Sequence, residues 1–143
     1  PQDFKELLQL LNLKKIKYLV IGGYAVAFHG HPRATGDIDI WIAISKDNAH
    51  KTVGVLKEFG FDTPDLKDTL FLEKGQNIRM GNPPLRIEIL TSIDGAEFSE
   101  CYKNKKTVLI GNVEINFISL PDLKKNKKAS GRLQDLADIE NLE

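Results

Sequence analysis

Two rhythms of apolar and polar positions run along the chain. Phe4, Leu7, Leu8 and Leu11 recur at helical spacing, and Asp3-Phe-Lys-Glu6 reads as a capping box that opens the helix. Tyr18 to Ile21 is a short β-rich run ended by Gly22-Gly23, and Tyr24 to Phe28 reads as a short helix closed near Gly30. Residues 30–36 (GHPRATG) are loop chemistry. The clearest strand is Asp37 to Ile44. There, period-two alternation puts Ile38, Ile40, Ile42 and Ile44 on one face and Asp37, Asp39, Trp41 and Ala43 on the other.

Ser45 is placed to cap a helix over about 46–59, with Ala49, Val53, Leu56 and Phe59 at helical spacing and Gly60 as its stop. Residues 61–77 fit neither rhythm. Ile78 to Met80 and Leu85 to Leu90 read as strands around a Gly-Asn-Pro-Pro turn, and 95–102 as a short helix. Thr107–Ile110 and Val113–Ile118 form a hairpin over Gly111-Asn112. Ser119-Leu-Pro-Asp122 starts a helix, and two helical pieces follow, broken at Ser130-Gly131. This order predicts an α/β (α+β) fold, a mixed sheet with helices packed against it. It forms one domain over 1–143, with a core over about 3–118 and C-terminal helices over about 119–143.

Composition narrows the function classes. With Lys+Arg 20 and Asp+Glu 20, the net charge of zero argues against a bulk nucleic-acid-coating protein. The single cysteine, Cys101, excludes an internal disulfide and any CxxC zinc site. The longest nearly unbroken apolar run, Tyr18 to Phe28, has 11 residues, short of the ~20 a membrane-spanning helix needs. With no signal-peptide pattern either, a cytoplasmic protein without a membrane partner is expected.

The chemistry concentrates on Asp37-Ile38-Asp39. Two residues apart on a strand, the carboxylates share a face about 6.6 Å apart along the backbone. Aspartate is a poor strand former, and here it sits twice among the best β residues. The isoleucine face must be the core side, which leaves the acid face for solvent or ligand. In Leu85-Arg-Ile-Glu-Ile-Leu90, Arg86, Glu88 and Leu90 share the face opposite Leu85, Ile87 and Ile89. If the two strands are neighbours, Glu88 completes a three-carboxylate oxygen cage of the kind Mg²⁺ prefers. A strand, Gly22-Gly23 and a helix start offer close backbone approach to a phosphate. Neither GxGxxG nor GxxxxGK[ST] occurs. His29 and His31, spaced i, i+2 without cysteines, lack a zinc ligand set, and His29 reads as a packing residue.

Gly22-Gly23, thirteen residues, Asp37-Ile-Asp39 and a later strand glutamate together resemble the nucleotidyltransferase superfamily of DNA polymerase beta. The stretch from Gly22 to Asp39 and the ending with Lys127, Gly131-Arg132 and Asp135-Leu-Ala-Asp138 are similar to its small bacterial branch, related to abortive-infection nucleotidyltransferases. The resemblance spans nearly the whole chain. It implies transfer of NMP from an NTP to an acceptor hydroxyl with release of pyrophosphate. By that pattern Asp37 and Asp39 hold two Mg²⁺ ions, or Mn²⁺, and Glu88 binds one of them and helps deprotonate the acceptor. Gly22, Gly23 and Tyr24 would contact the nucleotide with Arg33, Thr35, Lys127 and Arg132, while Asp135 and Asp138 form structural ion pairs. The third acid is glutamate where close relatives usually carry aspartate.

Between 101 and 132 the chain has eight Lys/Arg (Lys103, Lys105, Lys106, Lys124, Lys125, Lys127, Lys128, Arg132) against two acids, Glu114 and Asp122. These read as a solvated helix face or a basic rim for phosphates. Two rival functions remain at this level: a catalytically weak nucleotide-binding member of a toxin–antitoxin type pair, and a nucleic-acid-binding module. The acceptor is open between a small molecule, a protein hydroxyl and an RNA end, and a homodimer or cognate partner protein could supply its binding surface.

Overall fold

A computed structural model of the chain describes residues 2–30, 36–82 and 84–142. The elements run α1 (Gln2–Leu13), β1 (Tyr18–Ile21), α2 (Gly22–Phe28), β2 (Asp37–Ile42), α3 (Lys46–Glu58), β3 (Asn77–Asn82), β4 (Leu85–Leu90), α4 (Phe98–Lys103), β5 (Lys106–Ile110), β6 (Val113–Phe117), α5 (Leu120–Ser130) and α6 (Leu133–Leu142). The strands form one mixed sheet in the order β3-β4-β2-β1-β6-β5. The expected mixed sheet flanked by helices is therefore what the chain folds into.

Local chemistry sets the boundaries. Ser45 accepts a hydrogen bond from the Asn48 amide at the start of α3, and Ser119 accepts one from the Asp122 amide at the start of α5. Gly111 and Asn112 both take positive φ (+55° and +68°), the pair of left-handed residues that lets a two-residue turn follow the twist of β5 and β6. Several boundaries shift, among them α2, which starts at Gly22 rather than Tyr24. α1 starts at Gln2, two residues earlier than a cap at Asp3 would place it. α4 starts at Phe98 rather than 95. β2 ends at Ile42, beyond which Ile44 is partly exposed. Within the stretch that fitted neither rhythm lies a 3-10 turn, Asp68–Phe71, which buries Phe71.

The sheet has two unlike faces. Ile38, Ile40 and Ile42 point with Tyr18 and Val20 toward α1 and α3, where Phe4, Leu7, Leu8, Ala49 and Val53 complete a buried layer. Asn48, itself buried, ties that side together: its side chain accepts from the Lys17 amide and donates to the Lys17 and Ala43 carbonyls. On the other face lie Asp37, Asp39 and Glu88. This acid face is not open along its whole length, as the alternation alone suggested. Trp41 is 1% exposed, packed edge-on against Phe98 of α4 at 5.1 Å between ring centroids. Among the described residues only the Asp37–Asp39 end of β2 is left uncovered, and α5, with Arg132 just beyond it, walls the cleft that remains.

Candidate active site

The strand register brings the acids together. β2 and β4 pair in parallel with Asp37 opposite Arg86 and Asp39 opposite Glu88. β1 pairs antiparallel with β2, placing Ile21 opposite Asp39, and β3 pairs antiparallel with β4, placing Arg79 opposite Glu88. One row across the sheet therefore reads Ile21, Asp39, Glu88, Arg79, with Gly22 turning off its β1 end. Directly opposed residues on neighbouring strands share a face with side chains about 5 Å apart. The row forms the floor of a cleft of about 660 Å³ that Gly22, Gly23, Asn126, Ser130 and Arg132 also line.

Asp39 is the strained member. Burial raises its carboxyl to about 7, helped by the charges of Glu88 and Asp37 and by a hydrogen bond shared with Glu88. Its Oδ1 is buried without a hydrogen-bond partner among the described residues. The neighbouring acids are turned toward cations: Arg86 Nε donates to Asp37 Oδ1 at 2.9 Å, and Arg79 Nε to Glu88 Oε2 at 3.3 Å. Accordingly, no group of three or more His, Cys, Asp or Glu side chains among the described residues is already gathered around one point. The donor set nevertheless fits a divalent cation. Its oxygens are hard carboxylates, one is buried and unsatisfied, and a carboxyl near 7 marks a place short of positive charge.

Gly22 belongs to this arrangement for a reason the sequence did not show. It has φ +67°, and a Cβ there would stand 2.1 Å from Asp39 Oδ2. Its missing side chain is the space the Asp39 carboxylate occupies. Tyr24, expected at the nucleotide, is elsewhere. Its ring packs edge-on against Phe4 at 5.6 Å and lines a small apolar pocket with Val20 and Ile38 on the opposite face of the sheet. A single step along α2 rotates the side chain by about 100°, enough to carry it from the cleft side to the core side. Arg33 and Thr35, with His31, lie outside the described residues. His29 packs on Phe28, and its Nε2 lies 2.7 Å from the Ile118 carbonyl, as a packing residue would.

The two basic residues singled out in the C-terminal segment have different surroundings. Lys127 reaches the cleft wall, but its side chain is 4% exposed and its ammonium is held by Asp135 Oδ1 at 2.9 Å and Asp138 Oδ2 at 3.0 Å. It is a buried counter-ion, not a free phosphate ligand, which corrects the expectation of a direct nucleotide contact. Burial alone would raise the Asp135 carboxyl. Hydrogen bonds from Ser130, Arg132 and Lys127 outweigh it and bring it down to about 2. Arg132 is the exposed end of this network: Nε donates to Asp135 Oδ2 at 2.7 Å while the rest of the side chain, 79% exposed, faces the cleft. Asp135 and Asp138 are thus the structural ion pairs expected. Arg79 and Arg86 were not singled out. Arg79 alternates with Ile78 and Met80, which already put it on the face opposite those two; its place beside Glu88 depended on the hairpin register.

No protein-family description matches the sequence, and no curated protein matches it. Solved structures do. A Thermotoga maritima protein, provisionally described as a nucleotidyltransferase, aligns over 97% of this chain and 87% of its own at 20% identity and a TM-score of 0.62. An antigenic nucleotidyltransferase-like protein from Paracoccidioides brasiliensis aligns over 96% of this chain and 72% of its own at 18% identity and a TM-score of 0.59. What these share with the chain is architecture, and on that ground its fold is that of a minimal nucleotidyltransferase.

Proposed function

We propose that this protein transfers a nucleoside monophosphate from an NTP to an acceptor hydroxyl, with a divalent cation, Mg²⁺ or Mn²⁺, at Asp37, Asp39 and Glu88. The observation that carries the reading is the cross-strand row. A carboxylate with an unsatisfied buried oxygen lies between a second acid and a glycine whose side-chain space it fills. Folding gains nothing from that crowding, because two carboxylates about 5 Å apart repel by roughly 3 kcal/mol at an effective dielectric near 20. A site that keeps such repulsion is arranged for a bound cation.

In the reaction the acceptor oxygen bonds to the α-phosphorus, the bond from that phosphorus to its bridging oxygen breaks, and pyrophosphate leaves with the bridging electrons. A divalent pair, when bound, supplies charge neutralisation to the attacking and leaving oxygens. The chain's own part is positioning. Gly22 and Gly23 present backbone where phosphates can come close. Arg132, steadied by Asp135, offers a fixed guanidinium to phosphate oxygens. Glu88 lies where it could receive the acceptor proton.

Titration calorimetry with Mn²⁺ and a non-hydrolysable ATP analogue tests the binding half. The analogue should bind tightly only with the metal, and the coupling should vanish in Asp39→Asn. Equal nucleotide binding with and without metal would refute the reading. Incubation of the protein with labelled NTPs, Mg²⁺ and cell extract should then reveal the labelled acceptor.

A further inference from the structure

The row across the sheet has a chemically distinct far end. Arg79 on β3 lines the cleft beyond the acids, on the side away from Gly22, and Arg86 lines it from β4, two residues before Glu88 and opposite Asp37. From β1 to β3 is three strand spacings, about 14 Å. A triphosphate lying over Gly22 and Gly23 with its α-phosphorus at the acids would not also cover β3. The space over Arg79 and Arg86 is therefore where the second reactant would sit.

In the structure these arginines act as counter-ions to Glu88 and Asp37, at 3.3 Å and 2.9 Å. They are partners of opportunity: Arg79 is 62% exposed and Arg86 37%. Were Asp37 and Glu88 to hold divalent cations, each guanidinium would have to compete with the metal for its carboxylate. Where the metal prevails, two unneutralised arginines would border the acceptor position. The register places them as diagonal neighbours, since Arg86 is opposite Gly81 and Arg79 opposite Glu88, so their bases are about 7–8 Å apart. Two long, planar, always-charged side chains at that spacing can close on one tetrahedral anion from both sides. An amine-bearing acceptor would instead be repelled.

We infer that Arg79 and Arg86 form the binding site for a phosphate group carried by the acceptor alcohol. The inference rests on the nucleotidyl-transfer reading and adds the acceptor's class to it, a phosphorylated hydroxyl compound.

The test uses the full chain with Mn²⁺ and a non-hydrolysable ATP analogue at saturation, and inorganic phosphate as the probe of the second anion site. Phosphate should bind this complex. Arg79→Gln and Arg86→Gln should each weaken it by about tenfold or more, the scale of losing a charged hydrogen bond, while analogue affinity stays within about twofold. Acetate should bind far more weakly than phosphate. Mn²⁺ alone should bind both variants at least as tightly as wild type, because each arginine competes for a carboxylate. Three results would overturn the inference: no phosphate binding to the wild-type complex, variants that lose the analogue instead of phosphate, or acetate binding as well as phosphate. A loss of Mn²⁺ binding in the variants would also overturn it, by making the arginines braces for the acids. If the wild-type chain bound no analogue even with Mn²⁺, the transfer reading itself would fall and the acceptor site with it.

Discussion

The carboxylate of Asp39 fills the volume that a side chain at Gly22 would need, its Oδ2 standing 2.1 Å from where a Cβ would be. Glycine at the end of β1 and aspartate in the middle of β2 are thus one feature built from two distant positions. The φ of +67° at Gly22 adds a second cost for any other residue.

Gly22→Ala should therefore destabilise the protein by about 2–4 kcal/mol, combining left-handed backbone strain with the displacement of a buried carboxylate. In an Asp39→Ala background the same change should cost distinctly less, since only the backbone strain remains. Urea denaturation of the four proteins measures both. Equal costs in the two backgrounds would mean that Asp39 moves aside freely and that the close approach is incidental.

Stability of the metal-free protein should fall as pH rises toward neutrality. Burial, with Glu88 and Asp37, holds the folded Asp39 carboxyl at about 7 against an ordinary 3.8. Between those values the folded state keeps a proton that the unfolded chain has released. The contribution is thus fully present below 3.8 and is lost as pH climbs through about 7, at up to about 1.4 kcal/mol per unit. Asp135 works with the opposite sign. Its carboxyl lies at about 2, so its contribution is present above 3.8 and lost on acidification below it. Melting curves in EDTA should decline between about pH 4 and pH 7, and excess Mn²⁺ should flatten that decline. A metal-free profile that is flat or rising over this range would contradict the Asp39 environment.

Lys127 and Arg132 should separate cleanly. Lys127 is buried between Asp135 and Asp138, so Lys127→Met takes the shared buried positive charge away from both carboxylates and should cost about 3–5 kcal/mol. Arg132 is an exposed partner of Asp135, and Arg132→Gln should cost under about 1 kcal/mol. Its effect should appear instead as about tenfold weaker binding of an NTP analogue. Chemical denaturation and calorimetry together decide. A stable Lys127→Met protein with weakened nucleotide binding would restore Lys127 to the phosphate surface.

The parts of this site written in a local pattern were readable from the sequence. The alternation in Asp37–Ile42 fixed which face the acids share, and the same rule put Glu88 opposite Ile87 and Ile89. That Asp39 and Glu88 are direct partners is a matter of register, which long-range pairing decides and no local pattern encodes. Arg79 was overlooked for the same reason. Lys127 was misjudged because lysine is ordinarily solvated, and its burial depends on two aspartates brought back by the turn at Gly131. Tyr24 shows the limit of carrying a residue's role along a short helix, where one position is a change of face.

Asp39→Asn brings the electrostatics and the chemistry into one experiment. The amide keeps the shape of the carboxyl and removes its charge. At about pH 3 Asp39 holds its proton in both the folded and the unfolded state, so the variant should be nearly as stable as wild type. At about pH 8 wild-type Asp39 is ionised beside Glu88 in a buried setting, and the variant should be the more stable protein in EDTA, on the order of 4 kcal/mol. Adding Mn²⁺ should narrow or reverse that gap, because the three-carboxylate set proposed to hold the cation is intact only in wild type. Nucleotidyl transfer, assayed as pyrophosphate release once an acceptor is in hand, should fall by at least about 100-fold. A variant less stable than wild type at about pH 8 without metal would show the Asp39 carboxylate to be a structural support. The crowding of charge on the β2–β4 pair would then need an explanation other than a bound cation.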